Sequence, residues 1–288
     1  MSFLTVYHST VYRYAKPVAL GEHRMMFRPR DSHDLRLIQT NLLITPQPAH
    51  LRWLHDPFDN SVAVATFEGT TSELRFESTV TLEHFENSMP EYPLEEYARS
   101  YPFRYPDEDL PSLAPGLSPH YPGESVSRWA WQFLDPSDRT PTMKILRAMT
   151  RAISEEFTYT SREDKGVQTP DKTLQSRSGS CRDFAVLMME ASRSLGVAAR
   201  FVSGYIFVPS SSNILGGGST HAWMQAYLPG AGWIDFDPTN RIIGNRNLIR
   251  VAVAWSPHQV LPLWGTYDGS PAVFLGMDVT VTVAEVAV

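Results

Sequence analysis

The chain has 288 residues, of which 42% are hydrophobic and 19% charged, so it is long enough for about two domains and its composition argues against wholesale disorder. A net charge of −6 without a cluster of Lys and Arg argues against a nucleic-acid partner. The single cysteine excludes an intrachain disulfide and a cysteine-based zinc site. With no visible signal peptide or membrane span, we expect a cytoplasmic protein with no membrane partner.

Residues 1–86 have the pattern of a β-rich domain. Leu74, Phe76, Val80 and Leu82 alternate with polar residues, which is the period of a half-buried strand. The run 61–67 is rich in β-branched residues and alanine, and the turn cluster 56–60 before it lies between strands. We predict an antiparallel, sandwich-like domain over 1–86.

Residues 87–123 form a proline-rich connector and mark the predicted domain boundary. The connector holds eight of the 22 prolines, at positions 90, 93, 102, 106, 111, 115, 119 and 122. Proline excludes long helices, and the many aromatic residues indicate that the segment packs on the protein surface. The acidic run Asp107-Glu108-Asp109 is interpreted as a solvated loop rather than a metal site, because no histidine completes it.

Residues 124–288 read as an α+β domain, with helices first and an antiparallel sheet after them. A helix is predicted to begin at Thr140-Pro141, and another runs from Cys181 to a stop at Gly196. Extended stretches follow at 199–208, at 221–228 and from Trp233, and the valine-rich tail 250–288 predicts further strands.

The strongest chemical signal is the run Ser178-Gly179-Ser180-Cys181-Arg182-Asp183-Phe184. It places Cys181 at the first turn of a helix, where free N–H groups and the helix dipole favour a thiolate nucleophile. The alternative is a buried cysteine that acts as a small hydrophobic side chain.

A thiol nucleophile needs a base and a group that orients the base. If the strands on either side of Gly230 form a hairpin, Asp237 lies opposite Trp223 and one diagonal step from His221 on the same face. Asp235 shares that face but lies further from His221. A structural histidine and a turn aspartate are the alternatives, and His258 is the rival base.

Three motifs, in this order, resemble those of the bacterial transglutaminase-like proteins. They are the run 179–185 with its continuation 193–205, His221-Ala222-Trp223, and 232–240 with its Asp-Pro-Thr-Asn ending. The stretches 12–18, 27–30 and 56–60 resemble the β-domain that precedes the core in those proteins. The resemblance implies a papain-like core with Cys181 as nucleophile, His221 as base and Asp237 as orienting residue.

Two departures from the family pattern stand out. Asp59 stands where the family usually has glycine, which bears on stability. Ala254-Trp255-Ser256-Pro257 stands where the family commonly has Gly-Arg-Asp-Tyr, and a segment of that kind in the active site would alter substrate choice or reduce activity.

The implied activity is acyl transfer or hydrolysis on carboxamides of proteins or peptides through a thioester, with no cofactor and no metal. The backbone N–H of Cys181 is the first oxyanion donor and Tyr159 the candidate for the second. Trp223, with Trp233 and Trp264, is a candidate for an aromatic substrate cleft.

An amine acceptor gives transglutamination and water gives deamidation or proteolysis. The alternative is a catalytically impaired binding module, and a metal hydrolase is disfavoured because no second histidine stands at ligand spacing.

Overall fold

The computed structural model describes residues 2–86, 89, 91–121, 123–161, 166–210 and 212–286. Pro90 and Pro122 of the predicted connector lie outside these ranges. Within them, the helices are too short or too polar to cross a membrane.

The N-terminal region is the predicted antiparallel β domain. Its strands are β1 (Ser2–Met25), β2 (Leu35–Thr45), β3 (His50–His55), β4 (Ser61–Thr66) and β5 (Thr70–His84), in the sheet order β2-β5-β1-β4-β3. The predicted alternation falls in β5, where Leu74, Phe76, Val80 and Leu82 are all buried. At the turn before β4, Asp59 has a φ of 63°, the left-handed conformation that favours glycine.

The connector packs on the body of the protein, as its aromatic residues predict. It contains β6 (Ser100–Tyr101) and the eight-residue helix α1 (Leu110–Leu117), and α2 (Glu124–Trp131) follows it. The Tyr105 hydroxyl donates to the carbonyl of Tyr227 (2.8 Å) and accepts from the N–H of Ala198 (3.0 Å). These bonds tie the connector to the C-terminal sheet.

The C-terminal region has the predicted α+β architecture. Its first elements are β7 (Thr140–Pro141), α3 (Thr142–Glu156), β8 (Thr158–Tyr159), α4 (Pro170–Ser176), β9 (Ser178–Gly179) and α5 (Cys181–Ser194). Then come β10 (Ala199–Ile206), β11 (His221–Leu228), β12 (Gly232–Asp237), β13 (Ile242–Ile243) and β14 (Leu248–Ala254), in the antiparallel order β13-β12-β11-β10-β14. The buried helix α5 packs along β10 and β11.

The end of the chain returns to the N-terminal sheet. β15 (Leu263–Asp268) and β16 (Phe274–Glu285) both pair antiparallel with β1. The division into 1–86, 87–123 and 124–288 remains a prediction, but these two strands belong to the first sheet although the sequence places them in the last segment. The physical reason is that β16 supplies hydrogen-bond partners to the edge of β1 that β5 leaves open.

The two sheets are joined by buried polar contacts and by a shared apolar core. The Asn60 side chain donates to the carbonyl of Val253 (2.8 Å) and accepts from its N–H (2.9 Å). His84 contacts the carbonyl of Leu248 at 3.1 Å. Leu4 and Leu82 belong to the same core cluster as Phe184. The N-terminal domain therefore supports the sheet that carries the candidate site.

Candidate active site

Cys181 is the first residue of α5, as the sequence predicts, and it is 7% exposed. Ser180 caps the helix in extended conformation, and its N–H and hydroxyl donate to one carboxylate oxygen of Asp183 (2.8 and 2.9 Å). The N–H of Cys181 belongs to the first turn, whose donors have no carbonyl partner within the helix. The cap therefore holds both the thiol and a potential oxyanion donor at the start of α5.

Asp183 is a positioning residue that the sequence reading of the site missed. Its side chain is fully buried and also accepts the N–H of Gln168 (2.7 Å). Gln168 in turn donates to the carbonyl of Ser178 (3.0 Å). The segment before α4 is thereby fastened to the turn that presents Cys181. The available signal was the spacing Ser-x-x-Asp, which is typical of a capping box.

His221 and Asp237 form the predicted hydrogen-bonded pair. Met224 pairs with Phe236 across β11 and β12, and continuing this register puts Asp237 opposite Trp223. His221 Nε2 lies 2.8 Å from Asp237 Oδ2, and both side chains are buried. Because a carboxylate only accepts hydrogen bonds, Nε2 carries the proton. Nδ1 has no hydrogen-bond partner among the described residues, so in the neutral ring its lone pair is available to accept a proton.

The electrostatics of this pair favour a charged imidazole. Burial alone would lower the pKa of His221, but the Asp237 carboxylate and the adjacent Cys181 thiol raise it to about 10. The pKa of Asp237 is lowered overall. Burial alone would raise it, but the His221 contact outweighs burial, and the hydrogen bonds from Asn240 and the N–H of Thr239 lower the pKa further. An imidazolium next to Cys181 stabilises the thiolate by charge.

The glycine-rich loop before β11 covers the histidine. A Cβ on Gly216, whose φ is 88°, would lie 2.6 Å from His221 Nδ1. Asn240 exchanges two hydrogen bonds with the backbone of Leu215 (2.7 and 3.1 Å) and donates to Asp237 Oδ2 (2.8 Å). The Asn240 side chain thus fixes both the Asp237 carboxylate and the loop that lies over the imidazole.

The prediction that Trp223 lines a substrate cleft is wrong. Its side chain is fully buried, it stacks on His221 (centroids 5.9 Å apart, 29° between planes), and its indole N–H donates to Asp235 (2.6 Å). Burial raises the pKa of Asp235. The Arg250 charge and the hydrogen bonds from Trp223 and Gln225 offset part of this rise. Trp223 therefore packs under His221 and Asp235 holds Trp223 in place, on a face of the sheet that the N-terminal domain covers.

Tyr159 lies near Cys181. It pairs with Gly179 in the parallel ladder of β8 and β9, two residues before Cys181. Burial, then the Cys181 and Asp237 charges, raise the pKa of Tyr159 to about 12, which keeps its hydroxyl protonated. A protonated hydroxyl can donate to an oxyanion, so the geometry is compatible with the predicted role.

Other sequence candidates lie apart from the site. Trp264 is on β15, opposite Arg24 in the N-terminal sheet, and Trp233 packs under Arg200. Ala254 pairs with Phe201 of β10. Phe201 lies three residues, or about 10 Å, along β10 from Gly204, the residue that pairs with His221. The altered segment 254–257 thus begins three residues along the sheet from the level of the histidine. His258, also in this region, is exposed.

In the ranges that the structure describes, no group of three His, Cys, Asp or Glu side chains has an arrangement that could hold a metal ion.

Two family models match the chain. Residues 4–83 match the bacterial transglutaminase-like N-terminal region, and residues 133–238 match the transglutaminase-like superfamily. Cys181, His221 and Asp237 all fall inside the second match. Both halves of the predicted resemblance are thereby confirmed.

Similar proteins extend the match over most of the chain. An uncharacterized Mycobacterium tuberculosis protein is 27% identical over 275 residues, covering 90% of this chain and 86% of that protein. A protein-glutamine gamma-glutamyltransferase of Pseudomonas aeruginosa is 30% identical over 112 residues, 37% of this chain and 17% of that protein.

The solved structure of a Cytophaga hutchinsonii protein, provisionally assigned as a cysteine protease, superimposes with a TM-score of 0.71 at 18% identity. It covers 100% of this chain and 91% of its own. At that identity the likeness establishes the shared fold.

Proposed function

Because the chain is a bacterial transglutaminase-like protein, we propose that it is a thiol-dependent enzyme that transfers or hydrolyses acyl groups of protein or peptide carboxamides. The observation that carries the proposal is the buried hydrogen bond of 2.8 Å between His221 and Asp237, next to the thiol at the start of α5. A nucleophile, a base and an orienting acid in this arrangement are the requirements of thiol-based acyl transfer.

In the first half-reaction, the Cys181 thiolate attacks the carboxamide carbon and forms the C–S bond. The carbonyl oxygen becomes an oxyanion, stabilised by the N–H of Cys181 and the hydroxyl of Tyr159. When the C–N bond breaks, the His221 imidazolium gives its proton to the leaving ammonia or amine. Asp237 keeps the ring oriented and its charge compensated. The product of this step is a thioester on Cys181.

In the second half-reaction, an acceptor attacks the thioester carbon, neutral His221 takes the acceptor's proton, and the C–S bond breaks to release the Cys181 thiolate. A lysine amine as acceptor gives transglutamination, whereas water gives deamidation or peptide cleavage. Cys181 and His221 are 7% and 1% exposed, so little of either side chain is open to an acceptor within the described residues. A reduced thiol is a condition of either reaction, and a cytoplasmic location, which we also propose, would provide it.

The first experiment measures the rate of Cys181 alkylation by iodoacetamide as a function of pH. The parent should react well below the pH at which a free cysteine, with a pKa of about 8.5, becomes nucleophilic. His221→Ala should lose this low-pH reactivity, and His258→Ala is the matched control that should retain it. An inert thiol, or equal rates in both variants, would contradict the catalytic proposal and favour a binding module.

The second experiment identifies the acceptor. The parent and Cys181→Ala are incubated with casein and a labelled alkylamine, and incorporation, released ammonia and new peptide ends are measured together. Incorporation of the amine that depends on Cys181 indicates transglutamination. Ammonia without incorporation indicates deamidation, and new peptide ends indicate proteolysis.

A further inference from the structure

A cavity lies between the N-terminal domain and the C-terminal sheet, apart from Cys181, His221 and Asp237. Its volume is about 490 Å³, and its walls include Asp34, Phe58, Tyr92, Arg200, Trp233 and Asp235. None of the three proposed catalytic residues lines it. Arg200 pairs with Gln225, four residues along β11 from His221, which corresponds to about 13 Å.

Arg200 is held in a fixed position at this cavity. Its guanidinium lies 4.1 Å from the centroid of Trp233, and its Nε donates to Gln225 Oε1 (2.8 Å). Gln225 is itself fixed, because its amide donates to Asp235 (2.8 Å). The stacked plane and the Nε bond together orient the guanidinium while its terminal nitrogens make no hydrogen bond to the described residues.

Across the described ranges, no carboxylate lies within ion-pair distance of Arg200, whereas each of the other two arginines at the cavity has an acidic partner. Arg250 pairs with Asp34 (3.3 Å), and Arg30 pairs with Asp59. Burial and the nearby Arg250 and Arg30 charges lower the pKa of Arg200 to about 9, although Asp235 acts in the opposite direction. A half-buried cation without its own acid is costly unless an anion joins it.

We propose that this cavity binds a small organic monocarboxylate, with its carboxylate on the Arg200 guanidinium and its carbon skeleton against Trp233, Phe58 and Tyr92. A guanidinium matches a carboxylate by two parallel hydrogen bonds. The volume suits a small molecule, and the aromatic walls supply its apolar contacts. The carboxylates of Asp34 and Asp235 disfavour a multiply charged anion such as phosphate in the same space.

Isothermal titration calorimetry with phenylpropionate tests the proposal, and phenylpropanol is the uncharged probe of similar shape. Phenylpropionate should bind the parent and Cys181→Ala equally, which separates this site from the proposed catalytic one. Arg200→Met should weaken binding at least about tenfold, whereas Arg30→Met, a matched loss of positive charge at the rim, should change it by less than about twofold. Phenylpropanol should bind at least about tenfold more weakly than the acid.

The proposal is overturned if phenylpropionate does not bind, if the alcohol binds as well as the acid, or if Arg200→Met binds like the parent. An equal loss in Arg30→Met would also overturn it, since binding would then follow net charge alone. If circular dichroism shows that Arg200→Met is unfolded, Arg200→Lys replaces it. This variant keeps the charge but not the planar fork, so parent-like affinity in it would contradict the proposed contact.

Discussion

At the scale of single residues, the His221–Asp237 pair makes stability depend on pH. The pKa of His221 is raised from 6.5 to about 10, so the stabilisation is complete below pH 6.5 and disappears as the pH rises through about 10. The lowered pKa of Asp237 means that the same interaction is present above its ordinary value of 3.8 and is lost in stronger acid.

Asp237→Asn should therefore lower the free energy of unfolding by about 3 kcal/mol near pH 6, because it leaves His221 buried without its acid. The difference from the parent should shrink as the pH approaches 10. Urea unfolding at several pH values measures it, with the exposed Asp107→Asn as control. A difference that stays constant from pH 6 to 10 would contradict the assignment.

The relative positions of Cys181, His221 and Asp237 could be predicted because they depend on short-range rules. Capping and periodicity place Cys181, and the turn at Gly230 sets the register that brings Asp237 to His221. The role of Trp223 could not be predicted in this way. Strand periodicity puts it on the same face as His221, but only the tertiary fold decides whether that face is open or covered.

At the scale of elements, the start of α5 depends on one buried carboxylate. Asp183→Asn keeps the size of the side chain but turns one acceptor oxygen into a donor, which then faces the N–H groups of Ser180 or Gln168. We expect a loss of about 2 kcal/mol in unfolding free energy and slower alkylation of Cys181, because the first turn frays. Chemical denaturation and the alkylation assay measure the two effects.

The matched control is Glu124→Gln, an acid in the first turn of α2 whose side chain is exposed. It should cost less than about 0.5 kcal/mol, since it removes only a surface contact. Equal losses in the two variants would show that Asp183 acts through the helix dipole alone.

The elements that could be predicted are the long ones. Helix α5 and strands β11 and β12 follow from apolar periodicity and turn residues. Two-residue strands such as β8 and β9 carry no such pattern, because they exist only through pairing between segments distant in the chain. Helix α1 could not be predicted because its prolines argue against a helix. One of them occupies the first turn, where proline is tolerated.

At the scale of the whole molecule, the sequence indicates two regions, but the contacts between them depend on long-range pairing. The valine pattern of the tail predicts strands without saying which sheet they join, and β16 joins β1 at the far end of the chain. Because the apolar core also runs across both sheets, we expect the described fold to unfold as one cooperative unit rather than as two domains.

Asn60→Ala tests this coupling at a single side chain. Asn60 is 2% exposed, and its loss leaves the N–H and carbonyl of Val253 buried without these partners. Because an unsatisfied buried group costs about 1–3 kcal/mol, we expect the free energy of unfolding to fall by about 3 kcal/mol. Calorimetry should still give a single transition at a lower temperature, because the variant weakens the contact that both sheets share. Asn41→Ala, at an exposed position of β2, should leave the transition within about 0.5 kcal/mol of the parent. Two separated transitions in Asn60→Ala would instead mean that each sheet is stable without the other.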